Sequence, residues 1–174
     1  MSDDGHQLDD GFALADVTVR DCETSELAAF RDLNLAWIRR YFTIEPKDRA
    51  LLDDPQQGIL DKGGFILVAV WHKPGAQPIV VGTCALLRDP DAAVLQLAKM
   101  AVDERFQGKR IGHLVGEAAI ARAAKERMQA VRLETNSKLT PAIRLYEKLG
   151  FAHVAARKSA YTRADVQMRI ELTT

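Results

Sequence analysis

Between positions 94 and 128 the chain passes from a strand-like segment (94–102) through a short turn (103–107). Gly108-Lys109-Arg110-Ile111-Gly112 then opens a long Ala-rich helix. A strand that delivers a glycine-containing turn onto a helix start makes a place for phosphate. The first backbone N–H groups of the helix have no intrahelical partner, and the helix dipole puts partial positive charge there. Lys109 and Arg110 add full charge at the same spot, although solvated helix-start charges are the plainer reading of both. The stretch reads as the pyrophosphate grip of a coenzyme.

The flanking pattern fits an α/β chain. Residues 14–22 alternate as a first strand, and Thr24 or Ser25 is placed to cap the helix that follows. In that helix Leu27, Phe30, Asn34, Trp37, Ile38 and Tyr41 recur at helical spacing. Pro46 and Pro55 punctuate a section with room for short helices at 47–52 and 55–60. Gly63-Gly64 releases a continuous apolar run, 65–71, and Pro74-Gly75 turns it toward a returning strand, 78–87. A further strand is expected at 129–134. A second helix then starts near Thr140-Pro141 and ends at Gly150, whose freedom suits a left-handed cap. Two last strands, 151–156 and 165–172, complete the set. The expectation is α/β of the α+β type: a mixed, mostly antiparallel central sheet of six to seven strands flanked by helices. Residues 1–13 read as a disordered tail and 14–174 as one domain.

Composition removes several classes of function. Lys+Arg and Asp+Glu balance at 24 each, so no net field draws the chain to nucleic acid or an anionic membrane. No apolar run approaches the ~20 residues of a membrane span. The acidic N-terminus (Asp3, Asp4, Asp9, Asp10) lacks an apolar signal core, so a cytoplasmic location is expected. Cys22 and Cys84 read as free buried thiols. His6, His72, His113 and His153 show no ligand spacing, so no metal is expected.

Gly108, Gly112 and Gly116 fall four apart, which also fits a small-residue ridge for close packing on the sheet. A P-loop is excluded, because no Ser or Thr follows Gly108-Lys109; the dinucleotide fingerprint Gly-x-Gly-x-x-Gly is missing too. The second half of the chain adds the sequence Ala142-Ile143-Arg144-Leu145-Tyr146-Glu147-Lys148-Leu149-Gly150-Phe151. With Lys99-Met100-Ala101-Val102-Asp103 and Gln107-Gly108-Lys109-Arg110-Ile111-Gly112, it strongly resembles the GNAT superfamily of acyl-CoA N-acyltransferases. The resemblance is most specific from Leu97 to Phe151.

That resemblance implies acetyl-CoA as co-substrate, with no metal. Backbone groups of Met100 and Val102 would pair with the pantetheine arm, and a backbone N–H near Met100 or Ala101 would steady the oxyanion. Amides of Gln107, Gly108, Lys109, Arg110, Ile111 and Gly112 would hold the pyrophosphate. Tyr146 would protonate the departing thiolate; the plainer alternative is a core tyrosine bonded to a carbonyl.

The sequence departs from the family pattern at three positions. Arg110 stands where the turn has its second glycine. Leu139 replaces a common Asn, whose pantetheine contact would pass to Asn136. Gln96 replaces a common Glu base, leaving Glu134 as the substitute and Glu45 behind it. The expected reaction is direct transfer of acetyl to a primary amine of a small molecule or peptide, with the acceptor covered by 37–64. Glu45, Asp48, Asp53 and Asp54 either attract a cationic amine or form a solvated acidic surface. The rival reading is a non-catalytic acyl-CoA-binding sensor module. Exposed late strands leave a homodimer open.

Overall fold

The computed structural model describes residues 11–173, so most of the expected N-terminal tail lies outside the described residues. Packed structure starts earlier than Leu14: the Phe12 ring lies 5.6 Å from that of Trp71 and 5.7 Å from that of Phe106. Seven strands form one sheet: β1 (Val17–Asp21), β2 (Phe65–Trp71), β3 (Ile79–Arg88), β4 (Val94–Val102), β5 (Ala130–Thr135), β6 (Ala152–Val154) and β7 (Val166–Glu171). Their order is β1-β2-β3-β4-β5-β7-β6, and every neighbouring pair is antiparallel except β4 and β5. Among the described residues four α-helices cover it: α1 (Leu27–Tyr41), α2 (Pro46–Leu52), α3 (Ile111–Lys125) and α4 (Thr140–Leu149).

The continuous apolar run of β2 is explained by layers on both faces. Leu67, Ala69 and Trp71 enter a core with Val115, Ala119 and Ala123 of α3, while Ile66 joins Phe30 and Ile38 of α1 and Leu52 of α2. A strand buried on both faces has no reason to alternate. Short turns differ from expectation in two places. Neither Thr24 nor Ser25 caps the first helical segment; Glu23 does, in a reciprocal box where Glu26 accepts from the Glu23 N–H at 2.8 Å. Residues 56–60 form a π-helical turn.

Two local features position the site. Between Thr83 and Ala85 the β3–β4 register shifts, so Lys99 and Met100 together oppose Cys84. Lys99 takes a φ of 52° at this bulge, a left-handed conformation that costs a side-chain-bearing residue energy. Beyond it, β4 and β5 pair only as far as Leu97 and Leu133, although β4 continues to Val102 and β5 to Thr135. Parallel strands part here, and the free edge of β4 is left open.

The helix after β4 starts later than expected. Gly108, Lys109 and Arg110 precede it, with Gly108 at φ 77° and Arg110 as N-cap at φ 65°. The position of the family's second glycine therefore does need positive φ, and Arg110 bears that strain. The small-residue ridge of α3 meets α4, not the sheet. A Cβ on Gly116 would stand 2.4 Å from Leu149 Cδ1, and one on Gly112 would stand 3.2 Å from Leu145 Cδ2. Glycine at 116 lets the two helices approach closely, and this fixes α4 beside the parted strands.

Candidate active site

A cleft of about 980 Å³ opens where β4 and β5 separate. One end is lined by residues 97–98, 100–102, 106–108, 110–113 and by Pro141, Ala142, Leu145 and Tyr146 of α4. This end joins an unpaired strand edge, a turn with two left-handed residues and the start of a fifteen-residue helix. It suits a long ligand with an amide-bearing arm and a phosphorylated end: the edge offers strand-like hydrogen bonds, and the helix start offers N–H groups and positive potential. Burial, with the Cys84 thiol beside it, pushes the Tyr146 phenol up to about 12, so it stays protonated across the neutral range.

The other end is walled by Asn34, Trp37, Tyr41 and Phe42 of the α1 region, Gln96 and Lys99 of β4, Glu134 of β5, and Tyr161 and Arg163 from the β6–β7 connection. Behind this wall lies Asp48 of α2, fully buried. It accepts from Lys99 Nζ at 2.5 Å and from both Arg163 Nη atoms at 2.8 and 2.7 Å. Burial works against the Asp48 carboxylate, but the hydrogen bonds from Arg163 and Lys99 outweigh it and hold its pKa down at about 2. Burial also pulls the Lys99 ammonium below its ordinary value, with Asp48 holding against that. Glu45 adds a second carboxylate, accepting from Arg163 Nη1 at 2.9 Å and from the Thr162 N–H at 2.9 Å. Lys99 and Arg163 both lie over the Tyr161 ring, at 4.8 and 4.7 Å. Burial raises the Tyr161 phenol, and its hydroxyl is enclosed with no hydrogen-bond partner among the described residues.

The Acetyltransferase (GNAT) family model matches residues 28–151, most of the chain and both ends of this cleft. The chain belongs to the GNAT family. N-acetylaspartate synthetase of Mus musculus is 36% identical over 77 residues, 44% of this chain and 26% of that protein. The chain thus spans about a quarter of the length of the curated relatives it matches. Among solved structures, a GNAT acetyltransferase of Staphylococcus aureus MU50 superposes with a TM-score of 0.75 at 18% identity, covering 90% of this chain and 99% of that one. Spermidine N-acetyltransferase of Vibrio cholerae, in complex with CoA and spermine, does so with a TM-score of 0.67 at 19% identity, covering 90% and 96%. At these identities the likeness establishes the GNAT fold.

Within that fold the expected site residues separate into two sets. Met100, Ala101, Val102, Gln107, Gly108, Arg110, Ile111, Gly112, Asn136, Tyr146 and Glu134 all line the cleft. Lys109 does not: its ammonium sits over the Phe12 ring at 5.1 Å, turned away from the cleft. Asn136 lines the cleft but is engaged structurally, donating to the Arg163 carbonyl at 2.6 Å and accepting from the Lys138 N–H at 2.8 Å. Glu134 is the one carboxylate on the lining among the described residues. It accepts from the Ser159 hydroxyl at 2.7 Å and pairs with Arg132 at 3.5 Å. Glu45 is absent from the lining and is spent on Thr162 and Arg163. Asp48 is likewise spent, so neither acid faces an incoming amine.

Sequence reasoning missed Lys99, Tyr161 and Arg163. Lys99 left a signal, a single charge inside a largely apolar strand. Tyr161 and Arg163 left none, since they reach the site only through tertiary folding.

Proposed function

We propose that the protein transfers an acetyl group from acetyl-CoA to the primary amine of a small molecule or peptide by direct attack. The observation that carries this reading is the parting of β4 and β5 beside the 107–112 turn, with Tyr146 and Glu134 both on the cleft lining. The free β4 edge at Met100–Val102 holds the pantetheine arm, and the amides of 107–112 with the Arg110 side chain hold the pyrophosphate. Acetyl-CoA supplies an acetyl thioester. Glu134 takes the proton that the attacking amine must lose, as the N–C bond forms and the C–S bond breaks. The Tyr146 phenol gives its proton to the departing sulfur, and a backbone N–H at the Met100 bulge steadies the charge on the carbonyl oxygen. Cys84 is no nucleophile: it is buried, and burial pushes its thiol up to about 12.

Thiol release from acetyl-CoA across a panel of amines, measured beside coenzyme binding, tests this reading. Amine-dependent release is expected. Saturable binding with no release on any amine would replace transfer with the sensing of acyl-CoA.

A further inference from the structure

The acceptor end of the cleft is asymmetric in charge. Lys99, Arg163, Asp48 and Glu45 balance as two cations and two anions, yet only the cations reach the lining. Asp48 stands behind them at 0% side-chain exposure, so the pair is fixed from the rear. Among the described residues, Asp48 is the sole hydrogen-bond partner of the Lys99 ammonium, which leaves two of its three N–H groups unspent. Arg163 spends its Nη atoms on Asp48, Glu45 and the Thr43 carbonyl, and its Nε–H has no partner among the described residues. The Tyr161 hydroxyl is enclosed, and it is unpaired as well among the described residues. A buried phenol without a partner calls for an explanation, because such groups are normally satisfied. Lysine, arginine and phenol together make a donor-rich wall whose carboxylate partners, Asp48 and Glu45, are not on the lining; Glu134 lies on the neighbouring strand.

Resting on the transfer reading above, we propose that the acceptor is an amino acid: a small amine that also carries a carboxylate. Lys99 and Arg163 receive the carboxylate, joined by the Tyr161 hydroxyl once the entering acceptor opens its enclosure, while the amine is left to Glu134 and the thioester. A polyamine would set its second ammonium against Lys99 and Arg163, and the two carboxylates that could attract it are already taken. Trp37, Tyr41 and Phe42 line the same end and leave apolar room for the remainder of the molecule.

The experiment compares kcat/KM for amino acids with that for the same amino acids as α-amides, with spermidine alongside. Amidation is expected to lower kcat/KM by roughly 10- to 100-fold, the worth of hydrogen bonds to a charged group. For aspartate and glutamate, activity kept by the α-amide assigns the carboxylate to the side chain. Tyr161→Phe is expected to narrow the acid-to-amide ratio through the acceptor KM, with the acetyl-CoA KM as in the parent. Lys99→Met combined with Asp48→Asn, which leaves neither partner charged and alone, is expected to abolish it. α-Amides of amino acids without a side-chain carboxylate turned over as well as the acids, spermidine turned over as well, or a ratio unmoved in both variants would overturn the proposal. If no amine releases thiol, the transfer reading falls, and calorimetry on the CoA-loaded protein decides this one. Tighter binding of N-acetyl amino acids than of their methylamides upholds it; no difference between the two, binding of neither included, sinks it.

Discussion

The two ends of the cleft are built by different means. The coenzyme end is largely contiguous: β4, the 107–112 turn and the first turn of α3 follow one another in the chain and offer mostly backbone, with α4 closing the side. The acceptor end is assembled from afar: Lys99 meets Asp48 across 51 positions, and Arg163 meets it across 115. What it offers is side-chain charge held by other side-chain charge. Changes at the first end should therefore act through backbone conformation and stay local. At the second end they should propagate, because each buried ion depends on its partner.

The sharpest way to break this contrast is Asp48→Asn. Removing one member of a buried ion cluster strands the others, so stability should fall by about 3–5 kcal/mol in chemical denaturation. The pH dependence follows from the same group. Its folded pKa is depressed to about 2 from an ordinary 3.8, so its contribution is present above the unfolded value and is lost as pH falls from about 4 to about 2. Acid unfolding of the parent should show that limb, and the Asn variant should lack it.

Tyr146→Phe probes the place where the two ends meet. Loss of a positioned acid should lower kcat by roughly 100-fold or more, with acetyl-CoA affinity nearly kept. Equal losses in both would make Tyr146 a packing residue. Gly108→Ala should be milder. The φ of 77° is unfavourable for alanine, while open space around the position removes any clash, so a cost of about 1–2 kcal/mol should appear in the stability of the free protein, and a turn that relaxes away from this conformation should hold the coenzyme more weakly. Arg110→Gly is the smallest and most informative change. Relief of the left-handed strain should raise the stability of the free protein by up to about 1 kcal/mol. Loss of the guanidinium should at the same time weaken coenzyme binding and flatten its dependence on salt. A variant that gains stability and keeps full affinity would remove Arg110 from the phosphate contacts.

The same division explains how much was legible before the structure. Strand 94–102, the turn after it, the Thr140-Pro141 helix start and the Gly150 cap are local events, written in apolar runs, proline and glycine. The strands and helices around the cleft were therefore readable to within a few residues. Arg110 shows the limit of even local reading, since its positive φ depends on how the turn closes rather than on its own side chain. Lys109 shows another: a cation beside a phosphate turn is drawn off by an aromatic ring from the N-terminal segment. Glu45 and Asp48 read either as acids awaiting an amine or as a solvated acidic surface, because nothing in their neighbourhood names Arg163, more than a hundred positions away. Their charge is spent in the fold, and only the three-dimensional arrangement reveals that the cations face the cleft.

The most direct test is a calorimetric titration of folded protein with acetyl-CoA, paired with thermal melting. Saturable one-to-one binding is expected, with a Tm that climbs with coenzyme concentration, both weakened in Gly108→Ala and little changed in Tyr161→Phe. No heat and no shift in Tm at millimolar acetyl-CoA would contradict a coenzyme grip at the parted strands, and the acetyl-transfer reading with it.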